Sequence, residues 1–227
     1  MSTVVAIDGP AGSGKSTVAK MLAEQLHLTY VNTGSLYRAV AWAARRRQLP
    51  LSPLPKEFIS ELKLVYRNGE LQVNGEIPGA GLRDPEIASG ASLVSKQPEV
   101  RAALLPVQRQ AARDAWIVME GRDIGTVVFP DAECKFFLTA SLAERARRRL
   151  AQAGEVAPDA TLESVMRDIA QRDEQDASRA IAPLRRADDA IEIITDDLTP
   201  DQAVKLMSTY ILPHLNAGKA ESGGKNE

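Results

Sequence analysis

The chain has 227 residues, of which 44% are hydrophobic, and its formal net charge is −2. A chain of this size can bury one hydrophobic core with a small additional lobe, so we expect one main domain. The near-neutral charge predicts no binding to nucleic acid or to an anionic membrane surface. No apolar run approaches the roughly 20 residues that span a bilayer. The single cysteine excludes an internal disulfide, and the first residues lack the features of a secretory signal, so we expect a cytoplasmic protein.

Apolar residues recur along the chain with the periods of strands and helices in turn. Short apolar runs predict buried strands at 4–7, 28–31, 116–120, 134–138 and 190–194. Helical periodicity predicts helices at 15–26, from about residue 35, and at 99–113, 142–153, 162–176 and 200–215. Pro106 is expected to kink the helix that contains it, because proline lacks a backbone donor. Strands that alternate with helices predict a parallel sheet covered on both faces, which is an α/β fold.

Three segments interrupt this alternation. Residues 62–76 alternate apolar and polar side chains around Asn68-Gly69, which predicts a small antiparallel hairpin inserted into the α/β core. Residues 154–160 form a polar segment with glycine and proline between two charged helices, a composition that is typical of a mobile flap. The polar, glycine-rich residues 218–227 are expected to be disordered.

The segment IDGPAGSGKST, residues 7–17, lies between the first predicted strand and the first predicted helix. It matches the pattern G-x-x-x-x-G-K-[ST], in which glycines let consecutive backbone N–H groups turn towards one anion. The helix N-terminus adds free N–H groups and the positive end of its dipole. In this pattern Lys15 contacts the β- and γ-phosphates of a nucleoside triphosphate, and the Ser16 hydroxyl is a ligand of Mg²⁺. A glycine-rich turn without a ligand is the alternative, but the flanking strand and helix favour a phosphate site.

A phosphate loop binds a donor, and arginines elsewhere in the chain indicate an anionic acceptor. Phosphoryl transfer needs such groups, because two polyanions must be brought together and the charge on the transferred group neutralised. Arg38 and Arg122 each follow a predicted strand, at the sheet edge where α/β proteins bind ligands. Arginines 45–47 close a predicted helix and are interpreted as a solvated face. The basic run at 145–149 fits a solvated helix and a role beside the flap equally well.

Four motifs together resemble the short bacterial form of cytidylate kinase: DGPAGSGKST, NTGSLYR (32–38), EGRDIGTVVFPDA (120–132) and RDEQDASRAIAPL (172–184). They follow one another in the expected order and span nearly the whole chain. The resemblance implies ATP-dependent phosphorylation of CMP and dCMP, with Mg²⁺ accompanying ATP. It also implies a monomer whose partners are these nucleotides and neither nucleic acid nor a membrane.

The resemblance further implies the three-layer α/β/α fold of P-loop nucleoside monophosphate kinases, with a parallel five-stranded sheet. The predicted hairpin and flap acquire roles in this fold as a small antiparallel insert that binds the nucleoside monophosphate and a helical lid. The implied division of the chain is a core at 1–59, 92–149 and 166–217, the insert at 60–91, the lid at 150–165 and the disordered tail at 218–227.

Residue by residue, the motifs imply an ATP site formed by Gly9, Pro10, Ala11, Gly12, Ser13, Gly14, Lys15, Ser16 and Thr17. They imply a CMP site with cytosine at Ser92, Arg101 and Asp123, the sugar at Arg172 and Asp176 with Thr33 nearby, and the phosphate or the transferred group at Arg38, Arg122 and Arg179. The residues expected to act directly in the transfer are Lys15, Arg122 and Arg179.

Two positions depart from the family pattern: Asn32 stands where many relatives have aspartate, and Glu120 where some have it. The residues by themselves also leave two other functions open. A phosphate-loop kinase could use another small acceptor, such as UMP, AMP or shikimate, and ADP release with each acceptor would separate these. A regulatory module could hold ATP without turnover, although the many arginines near the predicted acceptor argue against it.

Overall fold

The computed structural model describes residues 4–67, 70–113, 116–152, 156–157 and 159–223. Its strands are β1 (Val4–Asp8), β2 (Thr29–Asn32), β3 (Leu64–Arg67), β4 (Glu70–Val73), β5 (Ile117–Gly121), β6 (Cys134–Thr139) and β7 (Ile191–Ile194). Five of them form one sheet in the order β2-β5-β1-β6-β7, and all its pairs are parallel. The remaining two, β3 and β4, pair antiparallel. The α/β class, the parallel sheet and the antiparallel hairpin are therefore confirmed.

The helices of the described residues are α1 (Lys15–Leu26), α2 (Thr33–Arg46), α3 (Lys56–Glu61), α4 (Pro85–Val94), α5 (Pro98–Gln110), α6 (Leu142–Leu150), α7 (Leu162–Ala177) and α8 (Pro200–Gly223). The periodicity predicts all of these except α3 and α4. Helix α3 has only 6 residues, too few for a periodic signal. Helix α4 contains Gly90, which lowers helix propensity but lets α4 approach Ala41 of α2. The kink expected at Pro106 of α5 stays a prediction.

The central strand β1 is buried along its whole length. Its alternate side chains point to opposite faces of the sheet. Val5 and Ile7 belong to the apolar cluster that includes residues of α1 and α8. Val4 and Ala6 belong to a second cluster on the other face. Helices therefore cover both faces, and ligands have access only at the ends of the strands.

The hairpin of β3 and β4 packs one face against the body of the protein. Leu64, Leu71 and Val73 are buried in a cluster with residues of α2 and α5, whereas Val65 on the opposite face is exposed. The predicted turn at Asn68-Gly69 lies outside the described residues. The predicted flap is only partly described, because residues 153–155 and 158 also lie outside the described part of the chain.

Arginines 45–47 do more than form a solvated face. They are about half exposed, but each pairs with a glutamate on a different element: Arg45 with Glu86 in α4, Arg46 with Glu76 after β4, and Arg47 with Glu61 in α3. Exposed pairs contribute little stability one by one. Their arrangement ties the end of α2 to three separate parts of the inserted region.

The expectation of disorder at the C-terminus is wrong for residues 218–223. Helix α8 continues to Gly223 rather than ending at Leu215, because adding a residue to an existing helix requires no new nucleation. Residues 224–227 lie outside the described residues. No helix in the described part of the chain is long and apolar enough to span a bilayer.

Gly9, which follows β1, is expected to tolerate no side chain. Its φ is +150°, and an added Cβ would overlap the backbone oxygen of Leu138 in β6. Gly75 also has a positive φ, +86°, but no atom lies within 4 Å of an added Cβ. We expect Gly9→Ala to lower the free energy of unfolding by ~3 kcal/mol and Gly75→Ala by ~1 kcal/mol in urea titrations. Equal losses in the two variants would contradict this explanation.

Candidate active site

The phosphate loop follows β1 and ends where α1 begins. Gly14, the residue before α1, has left-handed backbone geometry, so the first N–H groups of the helix face the loop. Gly12 also has a positive φ, +75°, and an added Cβ would lie 2.9 Å from the backbone oxygen of Arg145. The loop is therefore closely packed against α6 and has little freedom to change shape.

Lys15 lies inside this loop and is 4% exposed. Its Nζ donates to the carbonyl of Pro10 at 2.7 Å and to Ser13 Oγ at 3.3 Å. Burial, and after it the nearby Arg122 guanidinium, lowers the pKa of Lys15 to about 7. An amine in this position favours a bound anion, because the anion restores the stability of the charged form.

Ser16 is held by a chain of polar groups that begins on β2. Its Oγ donates to Glu120 Oε1 at 2.5 Å, and the Tyr30 hydroxyl donates to the same oxygen at 3.0 Å. Asn32 Nδ2 donates to the Tyr30 oxygen at 3.2 Å, while Asn32 Oδ1 accepts from Ser35 N at the start of α2. A carboxylate could not make both of these contacts, because it has no donor. The departure at Asn32 therefore has a physical account.

Ala11 of the phosphate loop is held through both of its backbone groups. Its N–H donates to Asp173 Oδ1 of α7 at 3.0 Å, and its carbonyl accepts from Arg145 Nη1 of α6 at 3.0 Å. Arg145 and Asp173 also form an ion pair, and Arg145 Nε donates to the Ala140 carbonyl. Arg145 is buried, so it is neither a solvated side chain nor free to act in a flap.

The loop forms one end of a cleft with a volume of about 1300 Å³. Ala11 to Thr17 line this cleft, whereas Gly9 and Pro10 do not. Every residue that the sequence predicts for the acceptor also lines it: Thr33, Arg38, Ser92, Arg101, Arg122, Asp123, Arg172, Asp176 and Arg179. The fold thus brings the predicted donor and acceptor residues together in one cavity.

Two buried charge clusters lie at the acceptor end, the end of the cleft lined by the residues that the sequence predicts for the acceptor. Arg101 pairs with Asp123, and its guanidinium lies 5.5 Å from the centre of the Tyr37 ring. Asp176 pairs with Arg122 at 2.9 Å and with Arg179. Burial raises the pKa of Asp176, but the surrounding guanidinium groups outweigh burial and lower it overall.

Arg172 lies beside the second of these clusters and carries an unsatisfied donor. Burial, and then repulsion from Arg122, lowers the pKa of Arg172 to about 10. Its Nε atom is buried without a hydrogen-bond partner. Arg38 Nη1 donates to the backbone carbonyl of Leu82 at 3.1 Å. Leu82 lies in the predicted insert. The acceptor end is therefore rich in guanidinium donors, as an anionic acceptor requires.

Asp8, the last residue of β1, fixes the chain just beyond Arg122 and Asp123. Its carboxylate accepts from Ile124 N and Gly125 N, both at 2.8 Å, at the start of the π-helical turn Ile124–Val128. Burial raises its pKa to about 6. The sequence analysis does not select Asp8, although a carboxylate at the end of a buried strand is a signal that could have found it.

Other cleft residues also escape the sequence analysis. Tyr37, Ser95, Glu120, Arg148 and residues 195–200 line the cleft. The sequence analysis mentions Glu120 as a departure from a family pattern and Arg148 within the basic run at 145–149, but it selects none of these as a site residue. Arg148 bonds to Thr195 through both its Nη atoms and to Glu144 through its Nε. The two bonds to Thr195 join positions 47 residues apart in sequence, so local patterns do not reveal them.

The fold and the cleft together define a P-loop kinase. A gluconokinase from Sinorhizobium meliloti 1021 has a similar fold, with a TM-score of 0.50 and 12% identity over 97% of this chain and 98% of that one. The sequence model of the cytidylate kinase family matches residues 5–212. The chain belongs to the cytidylate kinase family.

Curated relatives agree with this membership. The cytidylate kinase of Thermosipho melanesiensis is 44% identical over 201 residues, which cover 88% of this chain and 93% of that protein. The bifunctional pantoate ligase/cytidylate kinase of Synechococcus sp. (strain RCC307) is 44% identical over 211 residues, which cover 88% of this chain and 41% of that protein. The chain thus spans less than half of the bifunctional relative. The resemblance found in the four sequence motifs is confirmed.

Lys15 is expected to take up a proton when ATP binds. Its pKa of about 7 in the ligand-free protein makes the amine largely neutral at pH 8, and a phosphate held beside it raises that pKa. Calorimetric titrations at pH 8 in two buffers of different ionisation enthalpy measure the uptake. In Lys15→Arg the side chain is charged with and without ligand, so uptake should disappear. Equal uptake in both proteins would argue against Lys15 as the titrating group.

Asp173 is expected to control the donor side of the cleft. Asp173→Ala removes the acceptor for Ala11 N–H and leaves the Arg145 guanidinium without its carboxylate, which should cost ~3 kcal/mol of unfolding free energy. The KM for ATP should rise more than the KM for the acceptor. Asp168→Ala, an exposed position on the same helix, is the matched control. An unchanged KM for ATP in Asp173→Ala would show that the loop keeps its shape without this contact.

Proposed function

We propose that the protein transfers the γ-phosphoryl group of ATP to CMP and dCMP, which yields ADP and the nucleoside diphosphate. The observation that carries this proposal is the single cleft that holds the phosphate loop at one end and the Arg101–Asp123 and Asp176 clusters at the other. The bond from the γ-phosphorus to the ADP oxygen breaks, and a bond to a phosphate oxygen of CMP forms. No strong base is required, because the acceptor phosphate is already ionised.

At the donor end, Lys15 and the N–H groups of the phosphate loop and of α1 would bind the β- and γ-phosphates of ATP. Mg²⁺ bound with ATP would supply positive charge that offsets the charge of the phosphates. The Ser16 hydroxyl, which Glu120 orients at 2.5 Å, is the protein oxygen that fits this cation. The described residues contain no group of three or more acidic, histidine or cysteine side chains that could hold a metal. This suits Mg²⁺, which is often held mainly by substrate phosphates and water.

At the acceptor end, Arg38, Arg122 and Arg179 would bind the CMP phosphate and neutralise the transferred group. Arg122 and Arg179 share the Asp176 carboxylate, which holds the two guanidinium groups on one centre before the substrates bind. Preorganised donors of this kind stabilise developing charge without further rearrangement. Arg172 and Asp176 would meet the sugar, with Thr33 nearby.

The base is proposed to lie against Ser92, Arg101 and Asp123. Cytosine presents an amino donor beside the N3 and O2 acceptors, which suits a carboxylate or hydroxyl paired with a cation. The Arg101–Asp123 pair provides a cation and a carboxylate that contact each other, and both side chains are buried. Uracil presents an acceptor where cytosine has its amino group and would face the carboxylate with the wrong polarity.

In the proposed division of the chain, the insert at 60–91 and the lid at 150–165 move relative to the core and form two sides of the cleft. Closure of both segments over bound nucleotides would exclude water that would otherwise hydrolyse ATP. We further propose that the protein works as a monomer in the cytoplasm. A hydrogen-exchange comparison with and without both nucleotides measures the closure, and equal protection in the two states would argue against it.

The test of the proposed function is ADP release with each nucleoside monophosphate. We expect kcat/KM for CMP to exceed that for UMP by roughly 10 to 100-fold, since each unmatched buried polar group costs about 1 to 3 kcal/mol. Asp123→Asn keeps the shape of the side chain and should shrink the CMP to UMP ratio. Asp131→Asn, an exposed carboxylate outside the cleft, is the matched control. Equal use of CMP and UMP by the unaltered protein would refute the assignment of this pocket to cytosine.

A further inference from the structure

Ser95, the residue that follows α4, connects the two charge clusters of the acceptor end. It is 5% exposed and lies on the wall of the cleft. Its hydroxyl donates to the Ser92 carbonyl at 3.0 Å and accepts from Arg179 Nη2 at 2.9 Å. Its backbone carbonyl accepts from Arg101 Nη1 at 3.2 Å. One residue thus contacts an arginine from each cluster.

The hydroxyl contact determines how Arg179 is oriented. Arg179 follows the end of α7, and the same Nη2 atom pairs with Asp176. Its Nε is buried without a hydrogen-bond partner. With Asp176 as its single partner the guanidinium could rotate about that contact. The Ser95 hydroxyl oxygen is a second acceptor for this guanidinium, from a residue 84 positions away in sequence. Two acceptors limit the orientations that the guanidinium plane can adopt.

We propose that Ser95 is a positioning residue for Arg179 and, through its backbone carbonyl, for Arg101. The proposal rests on the proposed function, since both arginines are assigned to the acceptor. Because the Ser95 hydroxyl gives its proton to Ser92, its oxygen is left free to accept from a cation. Ser95 therefore presents a lone pair to Arg179 in the ligand-free protein and orients this arginine before CMP arrives. Preorganisation of this kind reduces the ordering cost of binding.

The substitution Ser95→Ala removes the hydroxyl and leaves the backbone carbonyl to Arg101 in place. A hydrogen bond to a charged group contributes enough that we expect kcat/KM for CMP to fall about tenfold. The KM for ATP should stay unchanged, because Ser95 does not contact the phosphate loop. Ser208→Ala is the matched control: Ser208 is also 5% exposed and also donates to a carbonyl, that of Val204, but it lies on α8 and does not line the cleft.

A double-mutant cycle separates positioning from a general effect on stability. If Ser95 acts through Arg179, Ser95→Ala should lower kcat/KM for CMP in the unaltered protein but cause no further loss in Arg179→Ala. Losses that multiply in the double variant, or a Ser95→Ala protein as active as the Ser208→Ala control, would overturn the inference. Failure of the proposed function gives a different result, since the unaltered protein would then release no ADP with CMP.

Discussion

The cost of burying positive charge is the constraint on which the arrangement of the cleft depends. Lys15 is 4% exposed, and burial together with Arg122 holds its pKa at about 7. Burial and the same Arg122 hold the pKa of Arg172 at about 10. Cations gathered in this way lose hydration and repel one another, so the folded protein must place carboxylates among them. A bound polyanion supplies the charge that those carboxylates leave unmatched.

The carboxylates also set the distance between the two ends of the cleft. Asp173 and Asp176 lie three residues apart on α7, so they occupy neighbouring positions on that helix. Asp173 reaches Ala11 of the phosphate loop, whereas Asp176 reaches Arg122 and Arg179, the second residue beyond the end of the helix. One helix thereby links the phosphate loop to the arginines that are proposed to bind the acceptor. A fixed link between the two ends of the cleft would favour phosphoryl transfer, because the reacting atoms must meet in line without rearrangement of the surrounding charges.

The sequence predicts the parts of this architecture that depend on local patterns. Strands of the sheet follow from apolar runs, and the phosphate loop follows from glycine spacing between a strand and a helix. The contacts that complete the cleft join distant positions, such as Ser95 with Arg179 and Ala11 with Asp173, and no local pattern encodes them. The same limit explains why the partners of arginines 45–47 are not foreseen, since these glutamates lie in three other segments of the chain. The residues that the family motifs imply for the acceptor all line one cleft, yet the motifs do not indicate which of them touch one another.

The two strongly shifted groups beside the phosphate loop affect stability in opposite directions. The pKa of Lys15 falls from 10.5 to about 7 on folding. Between these values the unfolded chain binds more protons, so stability rises with pH. The pKa of Asp8 rises from 3.8 to about 6, so across that interval the folded protein binds more protons and stability falls as pH rises. Between about pH 6 and pH 7 each group is charged in at least about half of the molecules. Their mutual attraction offsets part of the cost of burying these charges, and a phosphate beside Lys15 would offset more of it.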